Sequence, residues 1–261
     1  VGIKRIAGRI GVGLGGLALS TVAIGAGSAA NASQSPLVMP SMNQLLPHSS
    51  TNFEFLVSGK VGTVVTKTVS FSNAGLIRNL LKNPRLSAAQ RRMLELIPTS
   101  ATDTFRVLSP RQAAIAEAAD SGIHTGSGTM SSSSTSALTP LVGNGYTVVF
   151  DDVSSCSTPV GTNWMHTYTG WNFYNLGNSA YVSSVDQSNI YTGEALGYSL
   201  NAAPTQRKNW GGGNGDSYQF ATFIGSSEWG IGEPNESFNL HQNFMHGSSF
   251  HWNVYDNVQC L

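Results

Sequence analysis

Charge is scarce in this chain. Asp, Glu, Lys and Arg make up 11% of its 261 residues, and 14 basic residues cancel 14 acidic ones. Cysteine occurs only as Cys156 and Cys260. Neither belongs to a CxxC spacing or has a neighbouring His, which speaks against a thiolate metal centre. Tyrosine and tryptophan are absent from the first 140 residues. No Gly-x-Ser-x-Gly elbow occurs, and Trp210-Gly-Gly-Gly-Asn-Gly-Asp216 lacks the Lys-Ser/Thr of a phosphate loop. The same stretch is out of register with calcium-binding glycine repeats, so it reads as a turn. There is no internal repeat, and the carboxylates form no E-x-D or E-x-x-x-E pair.

What is present is an asymmetry. Residues 1–140 carry twelve Lys and Arg against five Asp and Glu, whereas residues 141–261 carry Arg207 and Lys208 against nine carboxylates. All eight Tyr and all five Trp fall in that second part. The zero net charge is therefore a cancellation between a basic, aromatic-poor part and an acidic, aromatic-rich one. Two basic residues leave the second part little with which to neutralise phosphates, so no nucleic-acid partner is expected.

Residues 1–32 read as a secretory signal. Lys4, Arg5 and Arg9 precede an apolar, Gly-rich stretch from Ile10 to about Gly27, and Ala30-Asn31-Ala32 supplies a small-x-small cleavage pattern. The apolar stretch is short against the ~20 residues of a membrane span. A Val at position 1 fits a bacterial GTG start. The expected product is secreted and extracellular, without stable membrane insertion. In an oxidising compartment the two cysteines pair, predicting a Cys156–Cys260 disulfide that closes a loop of about 100 residues.

Along the chain, residues 33–52 read as a mobile leader. Phe53–Val57 and Val61–Phe71 alternate like strands, with Ser58-Gly59-Lys60 as a hairpin connection. Leu76, Ile77, Leu80 and Leu81 have helical spacing, and capping boxes at Ser87–Gln90 and Ser109–Gln112 open two more helices, the second reaching about Ala119. Asp103–Leu108 between them reads as a third strand. Residues 53–120 thus predict a small α+β domain or pro-region, and 121–142 a Ser/Thr/Gly-rich linker. Residues 143–261 predict an all-β, sandwich or jelly-roll-like module closed by the disulfide, from short strands with turn signals every 8–12 residues or so. The opposite charges suggest docking of 53–120 on 143–261.

The candidate sites are aromatic and acidic. Phe150, Phe220, Phe223, Phe250 and Trp252 sit in alternating apolar frames and read as core. Trp164, Trp171, Tyr174, Trp210 and Trp229 lie among Asn, Gly, Ser and Thr, as do Tyr168, Tyr181 and Tyr191, and read as exposed. Such rings beside amides suit a sugar, whose apolar face stacks while its hydroxyls bond. Asp216, Glu228, Glu233 and Glu236 are the carboxylates that a hydrolase would draw on, two of them facing across a cleft. His241, His246 and His251 form an H-x4-H-x4-H series, in which only His241 and His251 can share a strand face. No metal or cofactor is expected. The expectation is recognition of an extracellular carbohydrate or cell-surface ligand. The alternatives are a secreted hydrolase made as a proprotein, and a secreted toxin or inhibitor.

Overall fold

The structure is a computed structural model, and it describes residues 37–46, 50–123, 145–176, 179–225, 235–246 and 251–260. The expected signal segment, most of the linker, and Glu228, Trp229, Glu233 and Phe250 lie outside the described residues. From Leu37 onward the chain forms one compact unit. Its strands are β1 (Ser50–Ser58), β2 (Val64–Ser70), β3 (Ser100–Leu108), β4 (Gly145–Thr158), β5 (Gly161–Leu176), β6 (Ser179–Gly193), β7 (Tyr198–Leu200), β8 (Thr205–Gly211), β9 (Asn214–Gly225), β10 (Asn235–Phe244) and β11 (His251–Cys260). Four helices join them: α1 (Met42–Leu45), α2 (Ala74–Leu81), α3 (Ala88–Glu95) and α4 (Pro110–Ile123). No described helix is long and apolar enough to cross a membrane.

The strands make two antiparallel sheets. Sheet A runs β1-β11-β10-β9-β7, with β8 also paired to β9, and sheet B runs β2-β3-β4-β5-β6. Period-2 alternation builds them: along β9, β10 and β11 every second residue is buried and its neighbours face outward. The buried faces of both sheets contribute to one core, which includes Phe55, Phe105, Phe150, Trp171, Phe223, Phe238 and Trp252. Trp252 packs edge-on to Phe150 at 5.0 Å and against Phe244 at 4.7 Å. The disulfide joins Cys156 of β4 to Cys260 of β11, so it staples sheet B to sheet A.

The compositional boundary does not divide this core. β1 pairs with β11 over nine residues, from Ser50↔Gln259 to Ser58↔His251, and β3 pairs with β4 from Ser100↔Ser157 to Leu108↔Val149. Phe53, Phe55 and Phe105 from the basic part are buried beside Phe150 and Trp252 from the acidic part. The expected docking of one part on the other is, in the structure, continuous strand pairing. Apolar alternation decides which face a strand buries, whereas the net charge of a segment does not report sheet membership.

Two local expectations change for related reasons. Ser58-Gly59-Lys60 does not close a hairpin, because β1 lies in sheet A and β2 in sheet B. A Cβ on Gly59 would stand 2.5 Å from the Trp252 ring, so the chain can turn that corner only without a side chain. The leader is likewise structured in part. Leu45 of α1 is fully buried with Ile77, Leu94 and Ile97 in a second apolar cluster under α2 and α3. Asn73 ties it down, its Nδ2 donating to the Leu45 carbonyl at 2.7 Å.

Candidate functional site

The outer faces of the two sheets differ, and the difference locates the site. Sheet B is covered. α4 begins at the expected capping box, where Ser109 N donates to Gln112 Oε1 at 2.9 Å. It then lies on the outer side chains of β4, β5 and β6, burying Ala113 with Val149, Tyr168 and Tyr191. Beneath it His166 is gripped from both ring nitrogens. Nε2 meets Asp151 Oδ1 at 2.8 Å and Nδ1 meets Asp120 Oδ2 of α4 at 2.9 Å. Arg106 pairs with Asp151 at 2.9 Å, and the Tyr168 hydroxyl donates to Asp120 at 2.7 Å. Burial, then the neighbouring Asp120, push the Tyr168 phenol well above its ordinary value. With both imidazole nitrogens engaged and the ring buried, this Asp–His–Asp group clamps the helix onto the sheet.

No such helix lies over the outer row of sheet A among the described residues. One register row crosses five strands there: Glu54, Tyr255, His241, Tyr218 and Arg207. Register partners in antiparallel strands project from the same face, so these side chains stand together. The rings of Tyr218 and His241 stack at 4.0 Å and 8°, Tyr255 follows at 6.1 Å, and the Arg207 guanidinium covers the far side of Tyr218 at 4.6 Å. Stacked rings offer their polar edges to solvent. Asp216 holds the row's polar side: its Oδ1 accepts from Asn243 Nδ2 at 2.6 Å and from His241 Nε2 at 3.2 Å.

The next row consists of Asn52, Asn257, Asn239, Phe220 and Thr205. Asn257 Nδ2 donates to Asn52 Oδ1 at 2.6 Å, which orients a line of amides. Phe220 keeps 39% of its surface and Tyr255 43%. A groove of about 370 Å³ runs between Asn52, Tyr255, His241, Tyr218 and Asn239, and a second of about 420 Å³ meets it at Tyr218, bounded by Arg207, Lys208 and Asp216. Ring edges, amides, the carboxylates of Glu54 and Asp216 and the Arg207 guanidinium make a surface that can both donate and accept hydrogen bonds, with Phe220 as its apolar spot.

The expected site residues scatter. Trp171 is fully buried, its Nε1 donating to Gln242 at 3.2 Å, so it is core. Tyr168 and Tyr191 are buried under α4, and Trp164 is half-buried there. Tyr174 is half-buried on β5, and Tyr181 packs against His246. Trp210 is 44% exposed, but its register partner Gly215 faces the core, so it leaves β8 on the side away from Tyr218. Phe220, expected in the core, faces out instead. Polar neighbours in sequence mislead here, because in a strand they occupy the opposite face and say nothing of the ring's own burial.

The carboxylates separate as well. Asp216 is on the open face, whereas Glu236 is fully buried on the core side of β10. Burial pushes its carboxyl up to about 8, against donation from Asn163 Nδ2 at 2.7 Å and from Tyr198. His241 and His251 share the outer face but not a row, since His241 is paired with Tyr255. Tyr218 and Tyr255 went unread in the sequence and His241 was read only within the histidine series, because the three align only through strand pairing. Their alternation with buried residues was the available signal, and their register was not.

The chain matches no known protein-family model, no curated protein and no solved structure.

Proposed function

We propose that this is a secreted recognition module that binds a hydroxyl-rich ligand, a carbohydrate of a cell surface or polysaccharide, on the open face of sheet A. The observation that carries it is the adjacency of two cross-strand rows, Tyr255–His241–Tyr218 and Asn52–Asn257–Asn239–Phe220. Sugars present hydroxyls at the ring edge and apolar C–H faces, and this surface has amides and phenols for the first and Phe220 for the second. A rigid sheet positions these groups with little ordering cost on binding, which favours affinity at a shallow site. A hydrolase would need two carboxylates across one cleft. Asp216 and Glu236 lie on opposite faces of sheet A, and Glu54 stands three strands, roughly 14 Å, from the strand of Asp216, so recognition without turnover is better supported.

The test is binding to an immobilised glycan panel and to insoluble polysaccharides. We expect retention on at least one, weakened at least tenfold by Tyr255→Ala or Asn239→Ala in variants that keep the wild-type melting temperature. Absence of binding across the panel, or binding indifferent to both changes, would reject the proposal.

A further inference from the structure

Between the sheets lie three carboxylates that the open face does not use. Asp103 on β3, Asp152 on β4 and Asp256 on β11 are each at most 1% exposed, and each offers an oxygen within 4.8 Å of the others. The disulfide explains their meeting. Cys156 and Cys260 hold β4 against β11 with Cα atoms 5.8 Å apart. Asp152 and Asp256 stand four residues before them on the same strands, hence on the same core-side faces. Asp103 joins from the neighbouring strand, where its register partner is Ser154.

Donors run short there. The Ser154 hydroxyl reaches Asp256 Oδ2 at 2.5 Å and Asp152 Oδ1 at 3.3 Å. No N–H or hydroxyl reaches either oxygen of Asp103, Oδ2 of Asp152 or Oδ1 of Asp256. The polar contact of Asp103 is with the Asp152 carboxyl itself. A separate residue points to the same place: Thr167 of β5 is the register partner of Asp152, is 1% exposed, and its hydroxyl has no partner. Lys67, the register partner of Asp103, is exposed and donates to the Glu54 carbonyl. An unpaired buried charge costs several kcal/mol, so three do not persist bare.

We propose that Asp103, Asp152 and Asp256, with the Thr167 hydroxyl, bind one Ca²⁺ between the sheets. An all-oxygen set selects a hard cation over the transition metals. Ca²⁺–O bonds of about 2.3–2.6 Å span up to ~5 Å across the ion, whereas Mg²⁺ at about 2.0–2.1 Å spans only ~4 Å. The ion joins β3 and β4 to β11, a second tie between the sheets roughly 13 Å along the strands from the disulfide. Protons are its competitors: burial first, and repulsion among neighbouring carboxylates for Asp103 and Asp152, raise all three carboxyls above their ordinary range.

The experiment dialyses the wild-type chain against chelator, then millimolar CaCl₂, and measures bound calcium by atomic emission with the melting temperature at pH 7.5. We expect one calcium per chain and a rise of several degrees, with a smaller rise in MgCl₂. Asp103→Asn and Asp152→Asn should lose the calcium, and Asp186→Asn, at a half-buried carboxylate outside the cluster, should keep it. If those core variants do not fold, Thr167→Val decides, with a several-fold weaker affinity expected. No retained calcium, or calcium held equally by the core variants or by Thr167→Val, overturns the proposal. A melting temperature that ignores calcium and rises only on acidification would assign the cluster to protons and overturn it too.

Discussion

Each sheet carries on its outer face a histidine held by an aspartate and flanked by tyrosines, yet the two groups have opposite fates. On sheet B, His166 has Asp151 and Asp120 on its two nitrogens and lies under α4. On sheet A, the His241 side chain keeps 28% of its exposure, bonds Asp216 through Nε2 and stacks on Tyr218. The same residue types become a structural clamp when a helix closes over them and a recognition surface when none does. What differs is whether a second element supplies partners for the remaining polar atoms, since buried groups without them are costly.

The comparison can be broken by substitution. The largest effect is expected beneath both faces: Cys156→Ser with Cys260→Ser should lower stability by about 4–5 kcal/mol, the loop-entropy value for a crosslink of this span. Chemical denaturation of the double variant checks it. Next, His166→Ala strips Asp151 of one partner and should cost about 3 kcal/mol while leaving glycan affinity unchanged. His241→Ala should do the reverse, costing about 1 kcal/mol for one half-buried hydrogen bond and weakening binding at least tenfold. Equal stability losses in the two would dissolve the contrast.

A more gradual effect is pH-linked. Glu236 titrates at about 8 when folded against 4.5 for a free carboxyl, so the folded state holds its proton longer. Its contribution is complete below pH about 4.5 and is lost as pH rises towards about 8, with a slope of up to ~1.4 kcal/mol per pH unit. Melting temperatures between pH 4 and 9, measured in chelator, should therefore fall with pH, and Glu236→Gln should reduce the decline. Donation from Asn163 and Tyr198 favours the charged form of this carboxyl, and burial outweighs it. The smallest effect is expected for Trp210→Ala, which lies off the open row and should leave glycan binding within twofold in the same retention assay.

Much of the secondary structure was legible because its signals are local. Both capping boxes opened helices at the expected residues, with Ser87 and Gln90 bonding reciprocally. Trp210-Gly-Gly-Gly-Asn-Gly proved to be the β8–β9 turn, where Gly212 and Gly213 take positive φ of 59° and 85°. The disulfide followed from having only two cysteines. Tertiary pairing was not legible. β1 reaches β11 across almost the whole chain, and no local pattern states that register. The open row was hidden for the same reason, since Tyr218, His241 and Tyr255 are neighbours only after β9, β10 and β11 pair. The buried aspartates were hidden too, because Asp151 and Asp152 are adjacent in sequence and point to opposite faces of one strand.

The most direct test is a titration of isotope-labelled protein with a soluble oligosaccharide cut from whichever polysaccharide retains it, followed by backbone amide shifts. We expect the largest shifts at Asn52, Phe220, Asn239, His241 and Tyr255, with β5 and β6 silent. Shifts centred on α4 and β4–β6, with the row on sheet A unmoved, would contradict the assignment of recognition to the open face.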